Sequence, residues 1–294
     1  MVEGSSIVQL SGKALTRLGL LVAFAPFLIF CAMFELVPIV ALGVGSVSTR
    51  SGDLTTEYLT NIVTKQAYLQ SIFNTVFISV VSAVLGGIIG TALGYAITRT
   101  HRTGVRRALF TLATISANAG GISLGFAFIT VLGAAGMITT LLKVFGIDLL
   151  SFFSIYSVVG LVVVYLYFQV PLMVVLMIPA FGSLRREWSE ASASLGGDNR
   201  DFWRRIGIPV LLPSIVAGIV LLFVSSMGAY ATAIALVGSR VNLMTIQISI
   251  LRRGEVIFAP VQADAMGVAL LLSVALSVGL YHLIQRRAQR WVQA

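Results

Sequence analysis

Six long apolar stretches, separated by shorter polar segments, dominate the chain. They cover residues 18–44, 71–98, 108–132, 154–178, 212–237 and 261–284. A helix needs about 20 apolar residues to cross roughly 30 Å of hydrocarbon, and each stretch is long enough. Lipid cannot hydrogen-bond to free backbone amides, and membrane-barrel strands are only about 10 residues long. The pattern therefore predicts an all-α membrane protein with six transmembrane helices.

Composition supports lipid as the surrounding solvent. The chain is 57% apolar and 11% charged, whereas about a quarter of an ordinary soluble domain is charged. A net charge of +9 would suggest nucleic acid in a soluble protein, but here the basic residues lie between membrane helices, so no nucleic-acid partner is expected. The first apolar stretch is much longer than a signal-peptide core of roughly 7–15 residues, which favours a retained first helix.

The basic residues predict the orientation. Fourteen of the 20 Lys and Arg lie in one set of segments, 1–17, 99–107, 182–208 and 285–294, and six lie in the other set, 45–70, 133–153 and 238–260. The positive-inside rule places the first set, with both termini, in the cytoplasm. The predicted organisation is an N-terminal tail (1–17), a membrane domain (18–284) with a cytoplasmic loop (182–208), and a C-terminal tail (285–294). Short helices are expected near 55–69 and 136–145 on the outer side.

The loop between the fourth and fifth stretches has an ordered pattern, EASASLGGDNRDFWRRIGIP. Residues 187–195 are predicted to form a helix that carries Ala191 and Leu195 on one face. Gly196 and the glycine after it end that helix, and Asp198 caps a second one. Such a helix–turn–helix, with apolar side chains on its surface, is suited to docking on another protein. A solvated turn, with Trp203 as a membrane-interface anchor, is the alternative interpretation.

The same residues match a spaced family pattern: Glu-Ala-Ala, three residues, Gly, nine residues, Ile, one residue, Leu-Pro. The chain matches it with Glu190, Ala191, Ser192, Gly196, Ile206, Ile208 and Pro209. Ser192 replaces the second Ala and Ile208 replaces Leu. The segment resembles the cytoplasmic signature loop of permease subunits of binding-protein-dependent ABC importers.

The resemblance implies a type I ABC importer permease (MetI-like) fold in the bacterial plasma membrane, and a loop that couples the chain to an ATPase. Residues carried over as ATPase-coupling are Glu190, Ala191, Ser192, Gly196, Ile206 and Pro209. The implied partners are an ATP-binding cassette ATPase dimer, a second permease that is related but not identical, and an extracytoplasmic solute-binding protein. ATP and Mg²⁺ would belong to the ATPase, with no cofactor on this chain.

Enzymatic chemistry is not indicated by the sequence. The nearest fragment to a phosphate-binding loop, at residues 11–14, has neither the upstream glycine nor the Ser or Thr after its lysine. No metal-ligand cluster and no catalytic triad is visible. The chain is therefore expected to be a transporter membrane subunit without catalytic residues.

Polar residues within the apolar stretches are candidates for a solute pathway. Asn118, Gln169 and Tyr230 lie near the middle of their stretches. Hydrogen bonding between helices explains such residues equally well. The glycines at 86, 90 and 94 predict a close helix contact, either within the chain or against a second permease.

The sequence leaves the solute open. The span arrangement resembles the spermidine/putrescine, ferric-iron and phosphonate branch, which favours a polyamine or a similar small organic cation. Ferric iron, phosphonate and other small solutes remain alternatives. An ATP-independent secondary transporter or channel is a rival of another class. It would need an ion relay or an inverted repeat, and Glu35 and Asp264, both placed near the outer face, are the acids available within the stretches.

Overall fold

The computed structural model describes residues 24–49, 53–253 and 259–292, with side chains given less completely after residue 283. The N-terminal tail predicted at 1–17 lies outside the described residues. In the described ranges the regular elements are helices, and Ser48 and Leu54 form an isolated antiparallel bridge.

Twelve helices can be followed through the described ranges. They are α1 (Phe24–Val47), α2 (Glu57–Thr64), α3 (Gln66–Arg99), α4 (Thr103–Ala117), α5 (Ile122–Leu132), α6 (Met137–Val144), α7 (Val158–Gly182), α8 (Arg186–Ser194), α9 (Asn199–Met227), α10 (Tyr230–Val237), α11 (Met244–Arg253) and α12 (Pro260–Val292). Six helical segments are long and apolar enough to cross a membrane: α1, α3, α5 with α6, α7, α9 and α12. The prediction of six transmembrane helices is confirmed. A short helix is present in each region that was expected to hold one, α2 and α6. Helix α6 belongs to the third membrane-crossing segment rather than to a separate outer segment.

Two of the apolar stretches are interrupted rather than continuous. Within 108–132, α4 ends at Ala117 and α5 begins at Ile122, and the intervening Gly121 has a φ of +85°. The apolar segment then runs on to Val144. Within 212–237, α9 already starts at Asn199 and stops before Gly228. Hydropathy measures only how apolar a stretch is and does not show where a helix ends. A helix can break inside a membrane protein where neighbouring groups form hydrogen bonds with the backbone N–H and C=O groups that the break frees.

Helix α7 is the centre of the bundle and packs most extensively against α3. The glycine seam predicted on α3 makes this contact. A Cβ at Gly90 would lie 2.5 Å from Met173 Cβ and 2.7 Å from the Val170 carbonyl oxygen, and one at Gly94 would lie 3.3 Å from Met177 Cβ. The seam is therefore a contact within the chain.

Each of two π-helical turns directly precedes a proline. Val37 N–H donates to Ala32 O before Pro38, and Ile208 N–H donates to Trp203 O before Pro209. A proline lacks the amide that an α-helix needs and clashes with the carbonyl four residues back. The wider π turn relieves that clash, so both helices continue through the proline.

Candidate functional site

The loop between α7 and α9 folds as the helix–turn–helix that its residues predict. Helix α8 (Arg186–Ser194) is followed by Gly196, whose φ is +80°, a region that favours glycine. Gly197 N–H donates to Ser192 O at 2.9 Å and closes the turn. The Asp198 carboxylate accepts the N–H of Asp201 at 2.7 Å, which caps the start of α9. These backbone and capping bonds fix the segment 186–209, here called the coupling segment.

The outward face of the coupling segment is apolar and uncovered. The Leu195 side chain is 90% exposed at the tip of α8. Beside it lies a groove of about 690 Å³, lined by Trp188, Ala191, Ser192, Leu195, Gly196, Gly197, Asp201, Arg205, Ile206 and Val210. A rigid apolar tip with a groove beside it is the kind of surface that another protein covers.

The inner face of the coupling segment is attached to the bundle by aromatic contacts. Phe202 is buried, and the Trp203 ring meets the Tyr95 ring of α3 edge-on, with centroids 5.1 Å apart. Gly207 lies directly under Trp203, because a Cβ there would be 2.5 Å from Trp203 Cε3. Trp203 therefore packs between helices and is more than an interfacial anchor.

The six predicted coupling residues do not all lie together. Ala191, Ser192, Gly196 and Ile206 line the groove, whereas Glu190 lies on another side of α8. Glu190 accepts a hydrogen bond from Arg186 Nε at 3.0 Å, and the two side chains are 65% and 91% exposed. An ion pair this exposed contributes little stability. Pro209 lies outside the groove and directly follows the π turn within α9.

A second candidate site lies where the two interrupted stretches meet. A cavity of about 380 Å³ is lined by Ala117, Asn118, Gly120, Gly121, Phe168, Ser225, Gly228, Ala229, Tyr230, Ala231 and Thr232. These residues come from both breaks, with Phe168 contributed by α7. The lining contains no carboxylate and no basic side chain. Helices α5 and α10 both begin at this cavity.

Hydrogen bonds hold the two breaks together. The buried Thr232 Oγ1 accepts from Gly121 N–H at 3.0 Å and donates to Gly121 O at 3.1 Å. Tyr230 Oη is 2.8 Å from Ser249 Oγ, and Asn118 Nδ2 donates to Thr114 O at 2.9 Å. Sequence reasoning found Asn118 and Tyr230 but missed Thr232. The Gly-Gly pair at 120–121 was the available signal for a helix break.

Gln169 lies apart from this cavity, deep between three helices. Its Nε2 donates to Ser82 Oγ at 3.1 Å and to Leu222 O at 3.4 Å, while Ser82 Oγ is 3.2 Å from Ser226 Oγ. The side chain is fully buried. Of the two interpretations left open for Gln169, the geometry favours hydrogen bonding between α3, α7 and α9.

The two acids considered for an ion relay are also separate from the cavity. Asp264 on α12 forms an ion pair with Arg252 on α11, and Glu35 is exposed on α1. Within the described ranges no group of three or more His, Cys, Asp or Glu could hold a metal ion.

Comparison with known proteins gives permease subunits as relatives. The molybdenum transport system permease protein ModB of Mycobacterium bovis is 30% identical over 121 residues, which are 41% of this chain and 42% of ModB. The probable sulfate transport system permease protein cysT of Chlorokybus atmophyticus is 30% identical over 160 residues, 53% of this chain and 51% of that protein. The chain thus spans about half the length of the curated relatives it matches. No family model matches the chain.

Solved structures show the same fold over three quarters or more of the chain. A bacterial alginate ABC transporter, solved with an alginate pentasaccharide-bound periplasmic protein, has a chain with a TM-score of 0.77 and 17% identity, covering 94% of this chain and 96% of that one. The MetNI methionine ABC transporter gives a TM-score of 0.55 and 18% identity, covering 75% of this chain and 95% of that one. The chain therefore has the six-helix fold of ABC importer permeases and is a multi-pass inner-membrane protein.

Proposed function

We propose that the chain is the permease subunit of an ABC importer and forms half of a solute pathway. The observation that carries this proposal is the coupling segment, which presents Leu195 and the groove outward while Trp203 fixes it to α3. If the tip lies in water, exposing it costs solvation free energy, and a partner that covers it would remove that cost. A partner that covers the tip and moves would transmit its motion into the bundle.

The partner that fits is an ATP-binding cassette ATPase, present as a dimer, and the coupling segment would then face the cytoplasm together with both termini. Glu190, Ala191, Ser192, Gly196, Ile206 and Pro209 are the proposed coupling residues. A related second permease would complete the pore, and an extracytoplasmic binding protein would deliver the solute. ATP and Mg²⁺ would act on the ATPase, with this chain as a non-enzymatic subunit.

The proposed solute is a small oxyanion of the molybdate or sulfate type. The names of the relatives support this class, and they do not support the polyamine that the sequence favoured. The cavity at the helix breaks agrees with that choice, because a polyamine would need carboxylates and the lining has none. The helix starts of α5 and α10 place partial positive charge near it. Asn118, Tyr230 and Thr232 are the proposed pathway residues.

Co-purification tests the ATPase partnership. The tagged chain is solubilised gently from its native host, and the proteins retained with it are identified by mass spectrometry. We expect a stoichiometric P-loop ATPase with the wild type and its loss with Gly196→Pro, because proline cannot adopt a φ of +80°.

Gly146→Pro is the matched control. Gly146 has a φ of +79°, donates its N–H to a carbonyl three residues back at 3.0 Å as Gly196 does, and lies outside the coupling segment. Equal retention of the ATPase by both variants would contradict the proposal, and so would its absence from the wild type.

A further inference from the structure

A basic cavity lies between the coupling segment and the helix bundle, separate from the apolar groove. It measures about 680 Å³ and is lined by Tyr95, Thr98, Arg99, Arg106, Ile178, Phe181, Gly182, Leu184, Arg185, Arg186, Ser189, Glu190, Phe202 and Trp203. Four helices, α3, α4, α7 and α8, bring their ends to it, together with the start of α9. The cavity is large enough to hold a small molecule or the head group of a lipid.

The cavity has a strong excess of positive charge. Four arginines and one glutamate line it, which gives a net charge of +3. Glu190 is already engaged by Arg186. Arg99, Arg106 and Arg185 form no ion pair with any carboxylate in the described part of the chain. Three guanidinium groups thus share a concave surface without an internal counter-charge.

One of these arginines is held in place by the aromatic contacts described above. The Arg99 guanidinium carbon lies 5.3 Å from the centre of the Tyr95 ring, within the range of a cation–π contact. Tyr95 in turn contacts Phe181, with ring centroids 5.6 Å apart, and Trp203. A guanidinium fixed on a ring loses little freedom on binding and offers a planar fork that matches the oxygens of a phosphate-like group.

A smaller cavity adjoins the basic cavity on the side of α4. It measures about 370 Å³, shares Arg106 and Ile178 with the basic cavity and adds Thr103, Arg107 and Phe110. Farther along α4, Leu112 and Ile115 are exposed on a helix with no buried residue. Basic pockets between transmembrane helices bind anionic lipid head groups. The exposed apolar side chains of α4 would leave room beside the cavity for the acyl chains of such a lipid.

We propose that the basic cavity binds a phosphate-like oxyanion, with Arg99 and Arg106 as its principal ligands and Arg185 as a third. The bound group is either the phosphate of an anionic phospholipid that reaches the cavity along α4 or a free tetrahedral oxyanion. The site does not depend on the proposed transport function, because it rests on the charges and aromatic contacts of the cavity.

Binding measurements on the intact chain in nanodiscs test the site and separate the two sources. In the first arm, native mass spectrometry follows retention of phosphatidylglycerol from a phosphatidylcholine background. In the second arm, calorimetry in phosphatidylcholine alone follows inorganic phosphate and sulfate. The cavity variant is Arg99→Gln with Arg106→Gln. The matched control is Arg200→Gln with Arg204→Gln, which removes the same charge from exposed positions outside the cavity.

We expect the cavity variant to bind roughly 25-fold more weakly, at about five-fold for each of the two arginines removed. We expect the control to bind like the wild type. Binding of phosphatidylglycerol alone would identify the lipid as the source, and binding of phosphate or sulfate in phosphatidylcholine would identify a free oxyanion. No binding in either arm, or equal weakening in cavity and control variants, would overturn the proposal. Unchanged circular dichroism of the variants, which alter only exposed side chains, shows that folding is intact.

Discussion

Leu195→Ala isolates the docking surface of the coupling segment. The leucine is 90% exposed, so truncating it removes almost no packing within the chain and should leave its stability unchanged. If the ATPase covers the tip, the substitution removes three carbon groups that become buried on docking. At about 0.8 kcal/mol for each, the loss is about 2.4 kcal/mol, or roughly 50-fold in the dissociation constant of the ATPase.

The assay titrates the purified ATPase onto the chain in nanodiscs and compares dissociation constants. Leu54→Ala is the matched control, since Leu54 is 85% exposed and lies in the segment 45–70, away from the coupling segment. We expect normal affinity for the control. A Leu195→Ala variant that binds the ATPase as tightly as the wild type would refute the idea that the tip is the docking surface.

Three further predictions concern the bundle and its breaks. Gly90→Ala should lower the thermal unfolding temperature in detergent, since overpacking against rigid backbone costs about 1–3 kcal/mol. Gly279→Ala is the control: because there is open space around Gly279, this variant should leave the unfolding temperature unchanged or raise it. Thr232→Val should slow solute uptake while the chain still inserts, because Gly121 N–H and O lose their partner; an unchanged uptake rate would contradict the role given to this contact. Gly196→Ala should weaken ATPase binding by about 5- to 30-fold, since a left-handed backbone costs an L-residue about 1–2 kcal/mol while no atom lies near the added Cβ. A loss as complete as that expected for Gly196→Pro would count against this reasoning.

The number of membrane helices could be predicted from the sequence because apolar runs of sufficient length are a local property. Hydropathy could not show the helix breaks, since a window such as 108–132 has the same mean hydropathy whether or not Gly121 adopts a positive φ. The Gly-Gly pair at 120–121 was the local signal for one of them. The positive φ of Gly121 is supported by Thr232, more than a hundred residues away. Contacts between distant segments leave no periodic signal in a single chain.

The coupling segment was predicted more completely than the pathway. Its helix, its glycine turn and its Asp198 cap depend on neighbouring residues, and all three are present. The placement of Gln169 depends instead on which helices surround it, so the sequence left two interpretations open. The aromatic contact of Trp203 with Tyr95 was missed for the same reason, as it joins two helices far apart in the chain.

The basic cavity also illustrates what the fold adds to the charge pattern. In the sequence, Arg99, Arg106, Arg185 and Arg186 lie in two separate loops and were used only to predict which side of the membrane those loops face. The bundle brings the four to one concave surface beside the coupling segment. Whether a loop arginine is only an orientation signal or part of a site therefore depends on tertiary structure.

Solute uptake into proteoliposomes tests the central claim most directly. The chain is reconstituted with its co-purified permease, ATPase and binding protein, and uptake of radiolabelled sulfate and molybdate is followed with ATP, without ATP and with a non-hydrolysable analogue. The account predicts uptake only with hydrolysable ATP, and loss of that uptake with Gly196→Pro in the coupling segment. Uptake by the chain alone without ATP would contradict the account and make the chain a self-contained transporter.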